Sequence, residues 1–126
     1  MGLTYDAGGL VAAERNDRRM WTIHKAALLR RELITVPAVV LAQVWRDGAG
    51  QARLGQLLAG CEIEVFGGRM AKAVGRLLAA SGASDLVDAA VVVAASGRGD
   101  LVITSDPRDL SALAGTLGVS LRLHAL

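Results

Sequence analysis

The sequence predicts an α/β domain with a mainly parallel central sheet, and three observations carry that expectation. Short runs of apolar and β-branched residues alternate with longer segments of helical apolar spacing from one end of the chain to the other. No linker, repeat or low-complexity tract interrupts that alternation. At 126 residues the chain can bury one continuous core without disulfides or a structural metal, so residues 1–126 are expected to form a single domain.

Leu3-Thr4-Tyr5 has the composition of a first strand, followed by a helix from about Ala7 to Arg15. Asn16-Asp17 can cap a second helix, with Trp21, His24 and Leu28 among its spaced positions. Ile34-Thr35-Val36 forms the second strand. Pro37 fits the first turn of a helix running to about Arg46, because that position needs no amide proton. Ala49 to Leu58 is expected to be a short helix, and Glu62 to Phe66 a weak edge strand. Arg69 to Ala80 is helical, with Val74, Leu77 and Leu78 on one face. Ser84 or Asp85 caps a very apolar helix through about Ser96. Leu101 to Thr104 is a buried strand, Pro107 opens a helix to about Thr116, and Ser120 to His124 is the last strand.

Composition narrows the function classes. The hydrophobic fraction is 52% and mean hydropathy +0.40, yet no apolar run approaches the roughly 18 residues needed to span a bilayer. The apolar excess therefore points to a surface covered by a partner or a second copy, with no membrane. Met1 to Leu10 lacks a basic segment ahead of an apolar one, so no signal peptide is expected and a cytoplasmic location follows. Cys61 is the one cysteine and cannot form an internal disulfide; a buried small apolar role is expected for it. His24 and His124 have no ligand spacing and are expected to be surface or partly buried residues. Gly8-Gly9 and Gly67-Gly68 lack the spacing of a phosphate-binding loop.

The net charge is +2, unevenly spread: residues 1–60 carry eight Lys/Arg against five Asp/Glu, the remainder six against seven. That bias can steer phosphate, with Arg15, Arg18 and Arg46 as candidate contacts, although each also suits a solvated helix face. With aromatics at 3%, base stacking is not the main mode of any nucleic-acid contact.

The aspartates carry the chemistry. Asp6 follows the first strand and Asp106 follows the buried Leu101–Thr104 strand, and ligands of open parallel sheets bind outside the carboxyl ends of the strands. Asp88 lies near the start of the apolar helix, where a charge needs a partner. Two unit charges about 4 Å apart cost roughly 4 kcal/mol at an effective dielectric near 20, so converging carboxylates need a shared proton or a cation. With no matching Lys or His beside them in sequence, Mg²⁺ or Mn²⁺ is the natural partner, and phosphodiester hydrolysis its usual chemistry. Each acid also has a bland role: Asp6 and Asp106 suit helix caps, and Asp85, Asp88 and Asp109 suit helix starts.

The ordered set Leu3-Thr4-Tyr5-Asp6-Ala7-Gly8, Val36-Pro37-Ala38-Val39-Val40-Leu41-Ala42-Gln43-Val44, Ser84-Asp85-Leu86-Val87-Asp88-Ala89-Ala90-Val91 and Val102-Ile103-Thr104-Ser105-Asp106-Pro107-Arg108-Asp109-Leu110 resembles the PIN-domain nucleases, and within them the VapC-type toxins of bacterial toxin–antitoxin pairs. The resemblance covers essentially the whole chain. It implies a PIN-like three-layer α/β/α sandwich and a Mg²⁺- or Mn²⁺-dependent ribonuclease, with Asp6, Asp88 and Asp106 holding the metal for attack of water on RNA. It also implies a cognate antitoxin and a homodimer. Asp85 and Asp109 would assist, and Ser105 and Thr104 could offer hydroxyls to a metal-bound water or to phosphate, although such residues at a strand end are usually structural.

The departure is Gln43, which stands where the family usually has glutamate; it brings no charge, and Glu14 is a candidate substitute. The alternative function is a catalytically weakened RNA-binding or protein-interaction module on the same fold. A phosphatase of Asp-x-Asp type does not fit, because Asp6 is followed by Ala7-Gly8. A phospho-accepting regulatory domain wants a late lysine, and none follows Lys72.

Overall fold

A computed structural model describes residues 2–126. Five strands, β1 (Leu3–Tyr5), β2 (Ile34–Pro37), β3 (Glu62–Glu64), β4 (Leu101–Thr104) and β5 (Arg122–Ala125), form one sheet in the order β3-β2-β1-β4-β5. All four pairings are parallel, so the sheet is wholly rather than mainly parallel. Seven helices connect the strands: α1 (Ala7–Glu14), α2 (Arg18–Leu29), α3 (Ala38–Val44), α4 (Ala52–Leu58), α5 (Gly68–Ser81), α6 (Leu86–Arg98) and α7 (Pro107–Leu117). Among the described residues, no single helix is long and apolar enough to cross a membrane.

Side chains alternate across a strand, and β1 shows which helices cover which face. The Tyr5 hydroxyl meets His24 of α2 on one side, while Thr4 meets Arg98 of α6 on the other. α1, α2 and α4 pack around the first face; α5, α6 and α7 pack together on the second, giving the three-layer α/β/α architecture. β1, β2 and β4 are covered on both faces, so their side chains are almost all buried. The short edge strand β3 is mostly exposed. Leu10, Leu54, Leu57 and Leu110 are fully buried in the apolar core, and each contributes about 1.5–3 kcal/mol.

Several boundaries move for local reasons. Pro37 closes β2 and precedes α3 with an extended ψ of 139°, so it is not the first helical residue. α3 stops at Val44 rather than near Arg46 because the Gln51 amide clamps its end. Gln51 Nε2 donates to the Val44 carbonyl at 2.9 Å and Gln51 Oε1 accepts from the Arg46 amide at 2.9 Å. The segment from Ala49 opens as a 3₁₀ turn, Ala49–Gln51, before α4 begins. β3 ends at Glu64, short of Phe66, and β5 starts at Arg122 rather than Ser120. α6 runs on to Arg98 and is closed by Gly99 at φ 69°, which turns the chain into β4.

His24 departs from the sequence expectation: it is fully buried, with Nδ1 2.9 Å from the Tyr5 hydroxyl. Burial pushes the tyrosine up and the histidine down, so a neutral phenol and a neutral imidazole share this hydrogen bond. Cys61 is half-buried, donates to the Leu57 carbonyl at 3.3 Å, and burial pushes its thiol up to about 12.

Candidate active site

The carboxyl ends of β1 and β4 lie side by side because those strands pair in register, Tyr5 opposite Ile103. The Asp6 amide extends that ladder by donating to the Ile103 carbonyl at 3.2 Å, which sets Asp6 beside Thr104. The Asp6 side chain is 5% exposed and held at both oxygens. Oδ1 accepts from the amides of Gly8 at 2.8 Å and Gly9 at 3.4 Å, and Oδ2 accepts from the Thr104 hydroxyl. Thr104 Oγ1 itself accepts from the Asp106 amide at 2.8 Å, so its single proton is directed at Asp6. Asp6 is therefore both the cap of α1 and a fixed member of the acidic edge.

Gly8 is required at its position by close approach. A Cβ there would lie 2.1 Å from Ser105 Oγ and 2.8 Å from the Ser105 amide nitrogen. The missing side chain lets the start of α1 sit directly against the Thr104–Asp106 turn.

Asp88 reaches the same place from α6. Asp85 caps that helix, its Oδ1 accepting from the Asp88 amide at 2.9 Å, so one acid fixes the backbone of the next. Carboxylate oxygens of Asp88, Asp106 and Asp109 lie within 4.8 Å of one another. Asp109, expected only to assist, belongs to this tightest trio, whereas Asp6 stands beside it. Asp106 occupies the N-cap position of α7 but makes no capping hydrogen bond; the Asp109 amide lies within electrostatic reach without bonding geometry. Its carboxylate is thus free of the structural duty that its place before Pro107 suggested.

The charges repel, and the ionisation reflects it. Burial and then the charges of Asp85, Asp106, Asp6 and Asp109 push Asp88 up to about 6. Asp6 is raised by burial, against the opposing pull of Thr104, Gly8 and Gly9, and raised further by Asp106. Asp106 is raised by partial loss of hydration and by the neighbouring Asp109 and Asp85. Among the described residues, no Lys, Arg or His forms an ion pair with any of these acids. Hard oxygen donors with raised pKa values and no internal counter-charge fit a Mg²⁺- or Mn²⁺-sized cation.

Other sequence candidates fall elsewhere. Gln43 is exposed on α3, which packs against both α1 and α6, and its side chain makes no hydrogen bond among the described residues. Glu14 does not reach the cluster: it accepts from Gln51 Nε2 at 2.7 Å at the far end of α1. The Arg46 guanidinium donates to the carbonyls of Ala42 at 3.1 Å and Trp45 at 2.7 Å, so it finishes α3. Arg18 borders a groove between α2 and α4 with Trp21 and Arg53, whereas Arg15 borders a groove shared with Gly8 and Ser105. Ser105 is exposed at that groove's edge. Sequence reasoning gave too little weight to Thr104, whose place two residues before Asp106 at the end of a buried strand was the available signal. It missed the Gln51 clamp altogether.

No family model and no curated protein matches the sequence. Solved structures do match its fold. A chain of the VapBC2 complex from Rickettsia felis, bound to a DNA fragment from the promoter, superposes with a TM-score of 0.73 at 16% identity, covering 100% of this chain and 99% of that one. A chain of the DNA-bound VapBC complex from Salmonella typhimurium gives 0.70 at 16% identity, covering 99% and 98%. A chain of the FitAB complex bound to an IR36 DNA fragment gives 0.66 at 12% identity, covering 98% and 94%. At these identities the likeness is one of fold, and the fold is PIN-like.

Proposed function

We propose that this chain is a Mg²⁺- or Mn²⁺-dependent ribonuclease of the VapC type, the toxin half of a toxin–antitoxin pair acting on cytoplasmic RNA. The observation that carries the proposal is a set of four converging carboxylates, Asp6, Asp88, Asp106 and Asp109, at the carboxyl edge of the sheet with no ion pair to a cation among the described residues. The full-length fold match to chains of VapBC complexes supports the same reading.

Asp6, Asp88, Asp106 and Asp109 would hold the ion. A divalent cation at such a site supplies charge neutralisation and makes water more acidic. The chain's own residues do the positioning. Gly8, Gly9 and Thr104 hold the Asp6 carboxylate in one orientation. Asp85 fixes the turn of α6 that presents Asp88. A bare acidic cluster repels a phosphodiester, so binding of the RNA backbone at the cluster depends on prior neutralisation of these carboxylates. Exposed apolar side chains such as Leu29 and Val65, 86% and 79% exposed, support burial against an antitoxin or a second copy in a homodimer.

The test compares wild-type protein with Asp6→Asn on a mixed RNA substrate, in Mn²⁺ or Mg²⁺ and again in EDTA. Cleavage that needs both the ion and Asp6 is expected. A folded wild-type protein that neither binds Mn²⁺ nor cuts would overturn the proposal and favour a non-catalytic module, with uncharged Gln43 as its signature.

A further inference from the structure

We infer that single-stranded RNA leaves the acidic site along the groove between α1 and the start of α2, held there through its phosphates by Arg15 and Arg19. The inference rests on the nuclease reading and assigns the substrate track for that same site. Arg19 belongs to the basic first half of the sequence together with Arg15, whereas the Arg46 guanidinium is occupied by carbonyls of its own helix turn.

Three observations meet at this groove. First, it borders the site: none of the cluster acids lines it, but Gly8, whose amide binds Asp6, and Ser105, next to Asp106, line one end of it. Second, its other end carries two guanidiniums. Arg15 and Arg19 are both exposed, and neither makes a hydrogen bond or ion pair among the described residues. The carboxylate facing them is Asp17, which already accepts from the Met20 amide at 3.0 Å as the cap of α2. Third, the groove is about 480 Å³ and its floor is formed by small or aliphatic side chains such as Val11 and Leu126.

The charge pattern selects the occupant. Negative charge at the mouth repels a phosphodiester until it is neutralised, while positive charge one helix length away, about 12 Å along the eight residues of α1, attracts it. A chain with regularly spaced single negative charges satisfies both ends. No aromatic residue lines the groove, so the contact is to the backbone and tolerates sequence. An acidic peptide would satisfy the arginines but gains nothing from the adjoining cluster.

The experiment measures binding of a fluorescent single-stranded oligoribonucleotide in Ca²⁺ over a range of salt concentrations. Wild type is compared with Arg15→Ala/Arg19→Ala, with Arg15→Lys/Arg19→Lys, and with Arg69→Ala/Arg76→Ala, an equal charge change on α5. The first variant should bind about tenfold more weakly, and its log–log salt slope should fall by about 1.4, at roughly 0.7 per phosphate. The lysine variant should keep most of the slope, and the α5 variant all of it. Mn²⁺ affinity, measured separately, should not change in any of them. If wild type binds the oligonucleotide and the Arg15/Arg19 variant binds it equally well, the track is wrong while the nuclease reading stands. If wild type binds no RNA in any salt, both fall. If poly-glutamate binds wild type in an Arg15- and Arg19-dependent way and the RNA does not, the groove belongs to an acidic protein segment and the inference is overturned.

Discussion

The two ends of α6 solve the same problem in opposite ways. At its C-terminus, carboxylates enter the protein together with their own cation. Arg98 Nε donates to Asp100 Oδ2 at 2.9 Å, Nη2 to Thr4 Oγ1 at 3.0 Å, and Nη1 to Glu64, while Thr4 donates to Asp100 at 2.8 Å. At its N-terminus, ten residues and about 15 Å away, Asp88 meets Asp6, Asp106 and Asp109 with no ion pair to a cation among the described residues. One cluster has a cation supplied by the fold, although Glu64 Oε1 within it has no hydrogen-bond partner; the other has no such ion pair among the described residues. Charge alone does not distinguish a structural carboxylate from a site carboxylate; the presence of an internal counter-charge does.

The largest effect that tests this contrast comes from removing the counter-charge that exists. Arg98→Met strands Asp100, which is 5% exposed, and should destabilise the protein by about 3 kcal/mol, read as a lowered urea midpoint. Asp88→Asn in EDTA at neutral pH should move the midpoint the other way, because it relieves repulsion instead of orphaning a charge. Destabilisation by both substitutions would mean that the acidic cluster also depends on a partner within the chain.

Adding charge to the incomplete cluster should sharpen the difference. Gln43→Glu places a carboxylate on α3, the helix that packs against both α1 and α6. Mn²⁺ affinity should rise about tenfold, equivalent to about 1.4 kcal/mol, because hard-cation affinity follows the count of charged ligands. Calorimetric titration of both proteins measures it. An unchanged affinity would put residue 43 off the site and remove the meaning of its departure from the usual glutamate.

How much of this was legible in sequence follows the range of the interactions. The alternation of strands and helices, the parallel sheet and the common edge of Asp6 and Asp106 could be read because each depends on local periodicity and on a general rule about strand ends, whereas Asp88 joins them through the family resemblance. The bland role for Asp6, a helix cap, is also real, and coexists with its place at the edge. Contacts across long stretches of sequence were not legible. Thr104 meets Asp6 across 98 residues, Arg98 meets Thr4 across 94, and Gln51 meets Glu14 across 37. Nothing local marks Arg98 as the cation of a buried network, and the helix end expected near Arg46 does not reveal that the Arg46 guanidinium donates to the last carbonyls there. His24 is expected at the surface or partly buried and is fully buried instead, because a lone histidine carries no sign of the tyrosine it meets.

The smallest effect concerns pH, and its sign separates the two clusters again. Asp88 has an ordinary value of 3.8 and is pushed up to about 6 in the folded protein. A carboxyl raised on folding adds stability that is fully present below about pH 4 and is lost as pH rises through 6. Metal-free protein should therefore lose stability between pH 4 and 7 through this group, and the raised Asp6 and Asp106 act in the same direction. A shift of that size would be worth about 3 kcal/mol for a fully buried group, but solvent screening of the half-exposed Asp88 reduces it to about 1 kcal/mol. Urea unfolding in EDTA at pH 5 and pH 7.5 measures the loss, and Asp88→Asn should flatten it. Saturating Mn²⁺ should reverse it at pH 7.5 and help little at pH 5, because the ion competes with the proton for the same oxygens. A metal-free protein whose stability rises across that window, in wild type and variant alike, would show that the carboxylates are already neutralised within the fold, as Asp100 is by Arg98.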